Sequence, residues 1–521
     1  MPEIAPQTAH ALVLSGQEVA FLDVREAGQF GEGHPLFAVP APYGALESRI
    51  DALVPRRSVP VLLLDAGDGV AARAARRLAA LGYTDLRCVS GGVPGWEAAG
   101  LPLYKGVNVP SKLLGELAET LWHPPMVTAE DLARWQAEGR AMAFYDVRPP
   151  GEYAKMRVPG AQCLPNGELP HRLAVAAAPG VPLVITCAGR TRGLVGAVGL
   201  RLAGHDGPFF ALENGTQGWA LAGLPLERGN TAAPYPDLPP EAFAAARTRA
   251  DRVIAHAGLA EASPADAVAM LGETERTTYL LDVRSEAEAR DDPIPAARHA
   301  LSGQLAQATD QWIGTRAARV LLLDDSGLRA AIAGFWLRQM GFEPIVVRLD
   351  PDPANPLRRL PAVPVAPAPE PDTVSAAEAL DRMRNGALLL DLRPSRTYRD
   401  GHVAGAVWAT RARLPDVARR RVLLIGEHAA LAATDLREAG AADVALVEGG
   451  HAALARAGAD IVATPDRPSD AEAIDFLFFV HDRHDGNLDA ARQYLAWETG
   501  LIAALTPPER AAFALIGPEG L

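Results

Sequence analysis

One feature of this sequence recurs four times: a short apolar run that ends in Asp-x-Arg. The four aspartates lie 123, 136 and 109 positions apart along the 521 residues, a separation typical of small domains. A chain of this length also exceeds what one hydrophobic core can hold. The repeat therefore predicts four copies of one domain. The runs are Phe21–Arg25, Phe144–Arg148, Leu280–Arg284 and Leu389–Arg393.

A second apolar run follows each Asp-x-Arg element, and a helical pattern comes after it. In the third and fourth copies a helical pattern also precedes the first run and starts at Ser263 and Ser375, which are good helix N-caps. Short apolar runs that alternate with helices are typical of buried parallel strands, so we predict an α/β fold. The second runs are Val61–Leu64, Leu183–Thr186, Val320–Leu323 and Val422–Ile425.

The second copy alone has a cysteine, Cys187, directly after its second run. Cys187 lies 41 residues after the Asp of Asp-x-Arg, and at 42, 42 and 35 residues the other copies have Asp65, Asp324 and Gly426. An Asp cannot carry sulfur and would repel an anion, and Gly has no side chain. We expect those three copies to be structural; a second possibility is that they bind a partner protein or cap the active cleft.

These motifs resemble the rhodanese (sulfurtransferase) domain family. In the second copy, the Asp-x-Arg strand end, Glu152-Tyr153, Val158–Ala161, the cysteine loop and a Gly-x-x-Gly-Trp element at 215–219 come in the family's order. The resemblance covers roughly residues 1–460, and it departs at Met156-Arg157, where Gly-His is common. It implies a doubly wound parallel sheet flanked by helices in each copy. It also implies transfer of sulfane sulfur through a persulfide on Cys187.

The six residues after Cys187 have the chemistry of an anion cradle. Backbone N–H groups at a helix N-terminus favour a thiolate, so we expect a lowered thiol pKa. The two glycines let the backbone curl, the two arginines carry charge toward an oxyanion, and the threonine hydroxyl is a hydrogen-bond donor for the persulfide. The predicted cradle consists of Ala188, Gly189, Arg190, Thr191, Arg192 and Gly193.

Loop length separates two chemistries. A related phosphatase would need Cys-x5-Arg to surround a phosphate, whereas Arg192 gives Cys-x4-Arg. We therefore favour sulfurtransferase over phosphatase. Three alternatives stay open: a buried and inert Cys187, a persulfide relay or sensor that serves a protein acceptor, and a non-catalytic scaffold of four interaction modules.

Three further residues are predicted to support the site: Asp146, Arg148 and Glu152. Because Asp-x-Arg also occurs in the copies without cysteine, its role is expected to be structural, with Arg148 paired to a nearby acid such as Glu152. Cys88 and Cys163 lie in apparent strands, where burial is a better explanation than resolution of a persulfide.

The predicted partners are a small sulfur-containing anion as donor, thiosulfate or similar, and a thiol or cyanide as acceptor; a protein acceptor stays open. No cofactor or metal is expected, because His481 and His484 lack a clear third ligand. The net charge of −13 argues against nucleic acid and anionic membranes. Only three cysteines and no signal-like segment suggest a cytoplasmic enzyme.

Composition shifts divide the chain into four units and two further segments. The predicted boundaries are unit one at 1–106, unit two at 107–231, unit three at 232–350, a Pro-rich linker at 351–371, unit four at 372–461 and a helical tail at 462–521. In the tail, amphipathic patterns predict helices over Asp470–Val480 and Leu488–Leu505, and a last one from Pro507.

Overall fold

The computed structural model describes residues 2–349, 351–363, 370–478 and 487–520. These residues form four mainly parallel sheets, and in each sheet the five strands that belong to the repeat have one spatial order: first, fifth, fourth, second, third. A fifth sheet consists of two antiparallel strands of unit four, His402–Val403 and Ile461–Val462. The predicted α/β fold, with several parallel sheets flanked by helices and a helical tail, is confirmed. Among the described helices, none has the length and apolar character needed to cross a bilayer.

The first two units contribute ten of these strands. Those of unit one are Glu3–Ile4, Val19–Asp23, Val39–Pro40, Val61–Leu64 and Leu86–Val89, with helices Pro6–Val13, Ala27–Glu32, Leu46–Leu53, Val70–Ala80 and Gly92–Ala98. Helix Val109–Trp122 leads into unit two. The strands of unit two are Met126–Val127, Ala143–Asp146, Gln162–Cys163, Leu183–Thr186 and Phe209–Leu212, with helices Ala129–Ala137, Pro150–Lys155, Glu168–His171, Leu173–Ala176, Thr191–Leu202 and Gly215–Leu221.

Units three and four repeat the arrangement. Unit three has helix Pro240–Ala257, strands Ala260–Ala262, Thr278–Asp282, Arg298–His299, Thr315–Arg316, Arg319–Asp324 and Glu343–Arg348, and helices Pro264–Leu271, Glu286–Asp291, Ser302–Gln307 and Leu328–Gln339. Unit four has strands Asp372–Val374, Leu388–Asp391, His402–Val403, Val407–Trp408, Arg421–Ile425, Asp443–Val447 and Ile461–Val462, and helices Ala376–Arg384, Ser395–Asp400, Ala429–Glu438 and Gly450–Arg456. The tail helices are Leu488–Ala504 and Pro507–Ala511.

The register of the parallel strands aligns the four units residue by residue. In unit two, Asp146 of Asp-x-Arg pairs with Thr186, and Cys187 comes next. The equivalent aspartates pair with Leu64, Leu323 and Ile425. The residues that follow those partners are Asp65, Asp324 and Gly426.

The Asp-x-Arg element forms the same ion pair in each unit, buried in units one to three and partly buried in unit four. In unit two, Arg148 Nε lies 2.9 Å from one Asp146 oxygen and Nη2 lies 2.6 Å from the other. Units one, three and four have the equivalent pair. The expectation that Arg148 pairs with Glu152 is therefore wrong; a partner two residues away satisfies the guanidinium at the strand end.

One hydrophobic cluster spans units one to three and the tail, and each of the four units also has buried clusters of its own. Phe21, Val198, Trp336 and Leu501, from units one, two and three and from the tail, belong to one buried cluster. Strand Thr315–Arg316 of unit three also pairs antiparallel with the sheet of unit one, which the sequence pattern did not indicate. This packing holds residues of different units around a single site.

Two predictions for the tail and linker need correction or lie outside the structure. Residues 470–477 form turns and irregular backbone, so the helix predicted from Asp470 is wrong there. The reason is tertiary: the carbonyl of Ile474 accepts a hydrogen bond from Gln29 of unit one, and Leu477 packs over Gly31. Residues 364–369 of the Pro-rich linker, and 479–486 with His481 and His484, lie outside the described residues.

Candidate active site

Cys187 lies where a buried strand meets a buried helix. It follows strand Leu183–Thr186 directly, and helix Thr191–Leu202 begins four residues later. Its side chain is 2% exposed. The Sγ atom accepts a hydrogen bond from the N–H of Gly193 at 3.2 Å and lies 3.3 Å from the carbonyl oxygen of Gly189. The sulfur is therefore held at the first turn of the helix, where N–H groups favour negative charge.

The pKa of this thiol differs from the expectation. Burial raises the pKa of Cys187, while the charge of Arg192, the backbone of Gly189 and Gly193 and the charge of Arg148 lower it without cancelling the effect of burial. The predicted lowering of the pKa is thus wrong. The physical reason is loss of hydration, which the sequence pattern does not report. The neutral thiol donates a hydrogen bond to the Gly189 carbonyl, and it must lose this proton before the sulfur can act as a nucleophile.

A second helix N-terminus holds the cysteine loop from the other side. The N–H groups of Thr216 and Gln217 donate to the carbonyls of Cys187 and Ala188, at 2.8 and 3.2 Å. Gly215 has φ of 53°, and a Cβ there would lie 2.3 Å from the Cys187 carbonyl oxygen. Only glycine fits this contact. The Gly-x-x-Gly-Trp element therefore fixes the loop, a role that sequence analysis missed.

Arg192 is a buried cation whose charge is shared with a glutamate. Its two terminal nitrogens lie 2.6 and 2.8 Å from the carboxylate oxygens of Glu152. Its backbone carbonyl accepts a hydrogen bond from the Asn166 amide at 2.8 Å. Arg192 still acts on the sulfur through its charge, but the guanidinium is engaged rather than open for an oxyanion.

Arg190 points away from the sulfur toward helix Val109–Trp122. It lies 2.9 Å from Glu116 and also pairs with Glu119. The geometry therefore does not give Arg190 the role predicted for it, an open cation for the donor. Two carboxylates from the preceding helix neutralise it instead.

Thr191 donates its hydroxyl hydrogen bond to Glu498 of the tail, at 2.6 Å. The expected acceptor was the persulfide, whereas the structure gives the hydroxyl this carboxylate as its acceptor. Each of the three polar cradle side chains thus has a carboxylate partner from elsewhere in the chain. Electrostatically, the pocket is less positive than two arginines alone suggest.

The sulfur faces a pocket that several segments of the chain build together. Unit three supplies Gln307, and the tail supplies Tyr494 and Glu498. Sequence analysis missed these residues and had no local signal for them. Gln217 did carry a signal, because it replaces Pro94 of unit one inside the shared Gly-x-x-Gly-Trp element. Apart from Cys187 and the cradle as far as Arg192, the lining residues are Val107, Asn108, Lys112, Gln217, Gln307, Tyr494 and Glu498.

The other two cysteines are buried and unpaired. Burial raises the pKa of Cys163 to about 12, and its Sγ donates to the carbonyl of Arg148 at 3.4 Å. Burial also raises the pKa of Cys88. Of the three cysteines, Cys187 is the one found among the described residues that line the pocket.

The equivalent loops of units one and three hold a carboxylate where unit two holds sulfur. Asp65 accepts hydrogen bonds from the N–H groups of Gly67 and Ala71, both at 2.9 Å. Asp324 accepts from the N–H of Arg329 at 2.9 Å and from its Nε at 2.8 Å. In unit four a side chain has no room at Gly426, because a Cβ would lie 2.7 Å from the Leu392 carbonyl carbon.

Comparison with known proteins places the chain in a family. The model of the rhodanese-like domain matches residues 6–99, 128–222 and 263–351. No curated protein sequence matches the chain. The crystal structure of a thiosulfate sulfurtransferase from Pseudomonas aeruginosa is similar over 99% of this chain and 100% of that one, with 34% identity and a TM-score of 0.90.

Two single-domain structures match one portion each. A rhodanese-related protein from Thermoplasma volcanium is 23% identical over 20% of this chain and 97% of its own, with a TM-score of 0.18. A rhodanese-like domain from Anabaena sp. is 23% identical over 20% of this chain and 80% of its own, with a TM-score of 0.19. The three matched segments, and the full-length similarity to the Pseudomonas protein, show that the chain belongs to the rhodanese family.

Proposed function

We propose that the protein is a sulfurtransferase that moves sulfane sulfur from an anionic donor, thiosulfate or a similar ion, to a thiol or cyanide. Cys187 is the nucleophile and persulfide carrier, and residues 188–193 are its cradle. One observation carries the proposal: the Gly193 N–H donates to Cys187 Sγ, and the Ala71 N–H, equally six residues on, donates to the Asp65 carboxylate. The same backbone position binds an anion in unit one.

The reaction consists of two displacements at sulfur. In the first, the Cys187 thiolate attacks the sulfane sulfur of thiosulfate, an S–S bond forms, and sulfite leaves with the electron pair of the broken bond. In the second, cyanide or a thiolate attacks the outer sulfur, and the electron pair returns to Cys187. The thiol proton passes to solvent or base before the first attack, and the terminal persulfide anion then occupies the N–H cradle.

The four units are proposed to be four copies of this domain, with the boundaries given above and one active copy. The common strand order supports the inclusion of unit four. In this proposal units one, three and four are structural. Unit three and the tail also line the pocket of unit two, through Gln307 and Glu498.

A protein acceptor is less well supported than a small one. Cys187 is 2% exposed and lies beneath a pocket lined by residues of unit two, unit three and the tail. A cysteine that must meet a partner's cysteine directly needs a more open surface.

The test is turnover of thiosulfate and cyanide to thiocyanate and sulfite. Because the reaction runs through one sulfur atom, Cys187→Ser is expected to lose at least about a thousandfold in kcat/KM. Cys163→Ser is the matched control, since that thiol is buried and bonded to a carbonyl, and it should keep wild-type turnover. Equal loss in both variants, or none in Cys187→Ser, would reject Cys187 as the nucleophile.

A further inference from the structure

Two side chains in the pocket have polar atoms that find no partner among the described residues. Glu498 Oε2 is unpartnered, as are both amide atoms of Gln217. Glu498 is 2% exposed and Gln217 is 6% exposed. Polar groups buried without a partner are costly and uncommon in proteins. These atoms are therefore expected to meet a ligand.

The unpartnered atoms converge beside the reactive loop. A Cβ at Gly189 would lie 3.4 Å from Glu498 Oε2 and 3.3 Å from Gln217 Nε2. Gly189 is two residues from Cys187, and all four residues line the same pocket. Glycine at this position thus leaves space between the carboxylate and the amide.

The carboxylate is held in place rather than free to turn away. Its other oxygen, Oε1, accepts the Thr191 hydroxyl at 2.6 Å. Helix Leu488–Ala504, which carries Glu498, packs into the shared core through Leu501. Oε2 is therefore a fixed hydrogen-bond acceptor near the sulfur.

The charges around the pocket determine which ligand suits this acceptor. Arg190 is paired with Glu116 and Glu119, and Arg192 is paired with Glu152. A third cation of the pocket, Lys112, donates to the Val107 carbonyl. Next to Glu498 itself, the open carboxylate oxygen favours a cationic group that donates hydrogen bonds. A protonated amine can donate to Glu498 Oε2. A half-turn of the Gln217 amide, whose two ends are both unpartnered, brings its oxygen toward the same amine as a second acceptor.

We propose that Glu498 and Gln217 recognise a protonated amine on the sulfur substrate, so that the substrate class is an aminothiol or its persulfide. This inference rests on the proposed function and deepens it. As acceptor, the aminothiol thiolate attacks the outer sulfur of the Cys187 persulfide, the S–S bond breaks, and the electron pair returns to Cys187. As donor, an aminothiol persulfide undergoes the reverse exchange. Neither direction needs an oxidant or a reductant.

The experiment compares cysteamine with 2-mercaptoethanol, which has a hydroxyl in place of the amine. Wild-type enzyme is loaded with sulfur, freed of donor and mixed with each thiol, and persulfide loss is followed by intact-protein mass. A second arm measures loading of Cys187 by the persulfides of the same two thiols. A preference for the amine in the first arm identifies the aminothiol as the acceptor, and a preference in the second arm identifies its persulfide as the donor.

The decisive quantity is the ratio of the two rate constants, compared between wild type and Glu498→Gln, because this comparison cancels intrinsic differences between the thiols. The amide keeps an acceptor for Thr191 but removes the charge. We expect the cysteamine preference to fall by at least about tenfold in Glu498→Gln, as for loss of a charge-assisted hydrogen bond. Asp489→Asn, on the exposed part of the same helix, should leave the ratio unchanged.

An unchanged ratio in folded Glu498→Gln, or wild-type enzyme without an amine preference in either arm, would overturn the inference and leave only water at these atoms. If Glu498→Gln does not fold, the same ratio is compared between wild type and Gln217→Leu, which removes the second polar partner and should also lower the cysteamine preference. Failure of the proposed function looks different: Cys187 then takes up no sulfur from thiosulfate or from either persulfide.

Discussion

The loops of unit one and unit two place different side chains, a carboxylate and a thiol, in the same backbone cradle. In unit one the Asp65 carboxylate accepts hydrogen bonds from the N–H groups of Gly67 and Ala71. In unit two the Cys187 sulfur accepts a hydrogen bond from the N–H of Gly193, and the loop borders a pocket. The comparison teaches that the cradle itself is common to both units. What distinguishes unit two is a thiol, a side chain with nucleophilic chemistry, in the position of that carboxylate.

Unit three extends the comparison to the arginine. Its Arg329 is fully buried and pairs with Asp324 of its own loop, and also with Glu168 of unit two. A retained arginine in a loop without cysteine therefore joins two units. In unit two, Arg192 has one carboxylate partner and also stands close enough to Cys187 to lower its pKa.

The largest effect in this comparison is expected from the charge beside the sulfur. Burial raises the pKa of Cys187 above its ordinary value of 9.0, and Arg192 is the strongest opposing influence. Arg192→Met should therefore raise the pKa further and slow alkylation of Cys187 at pH 8 about tenfold, the equivalent of one pKa unit. Alkylation of intact protein followed by mass measures this rate.

The control variant is expected to change the alkylation rate in the opposite direction. Glu152→Gln removes the carboxylate that opposes Arg192, so alkylation should become faster.

The pH dependence of the wild-type rate tests the effect of burial on the thiol. The rate should keep rising with pH beyond 9.0, because the fraction of reactive thiolate increases as the pH passes the raised pKa. A rate that levels off near neutral pH would show that the thiol is already ionised and would contradict the effect of burial.

A smaller effect is expected from the carboxylate of unit one. Asp65→Asn keeps one acceptor oxygen for two N–H donors, so the free energy of unfolding should fall by about 1 kcal/mol. Denaturant unfolding measures this change. Thiocyanate formation per folded enzyme should not change, because Asp65 does not line the pocket of Cys187. Loss of turnover without loss of stability would contradict a purely structural role for unit one.

Local patterns were enough to predict the repeated strands and the loop, because both depend on neighbouring residues. The Asp-x-Arg element marks strand ends, and the parallel register places Cys187 beside Thr186, the partner of Asp146. The pairing of Arg148 was predicted wrongly, since the partner is two residues away rather than at Glu152.

The rest of the site depends on distant contacts. Arg190 meets Glu116 from 74 residues away, and Thr191 meets Glu498 from 307 residues away. No periodicity or motif connects such positions in the sequence. The pKa of Cys187 was misjudged for the same reason, because its burial depends on how the units and the tail close around the loop.

The most direct test of the sulfur-carrier account is the intact mass of the protein after brief exposure to thiosulfate, with Cys187→Asp in parallel. The variant puts the side chain of unit one into the cradle of unit two and should fold. The account predicts one added sulfur atom on the wild type, removed by cyanide, and none on Cys187→Asp. No added sulfur on the wild type, or the same addition on both proteins, would contradict it.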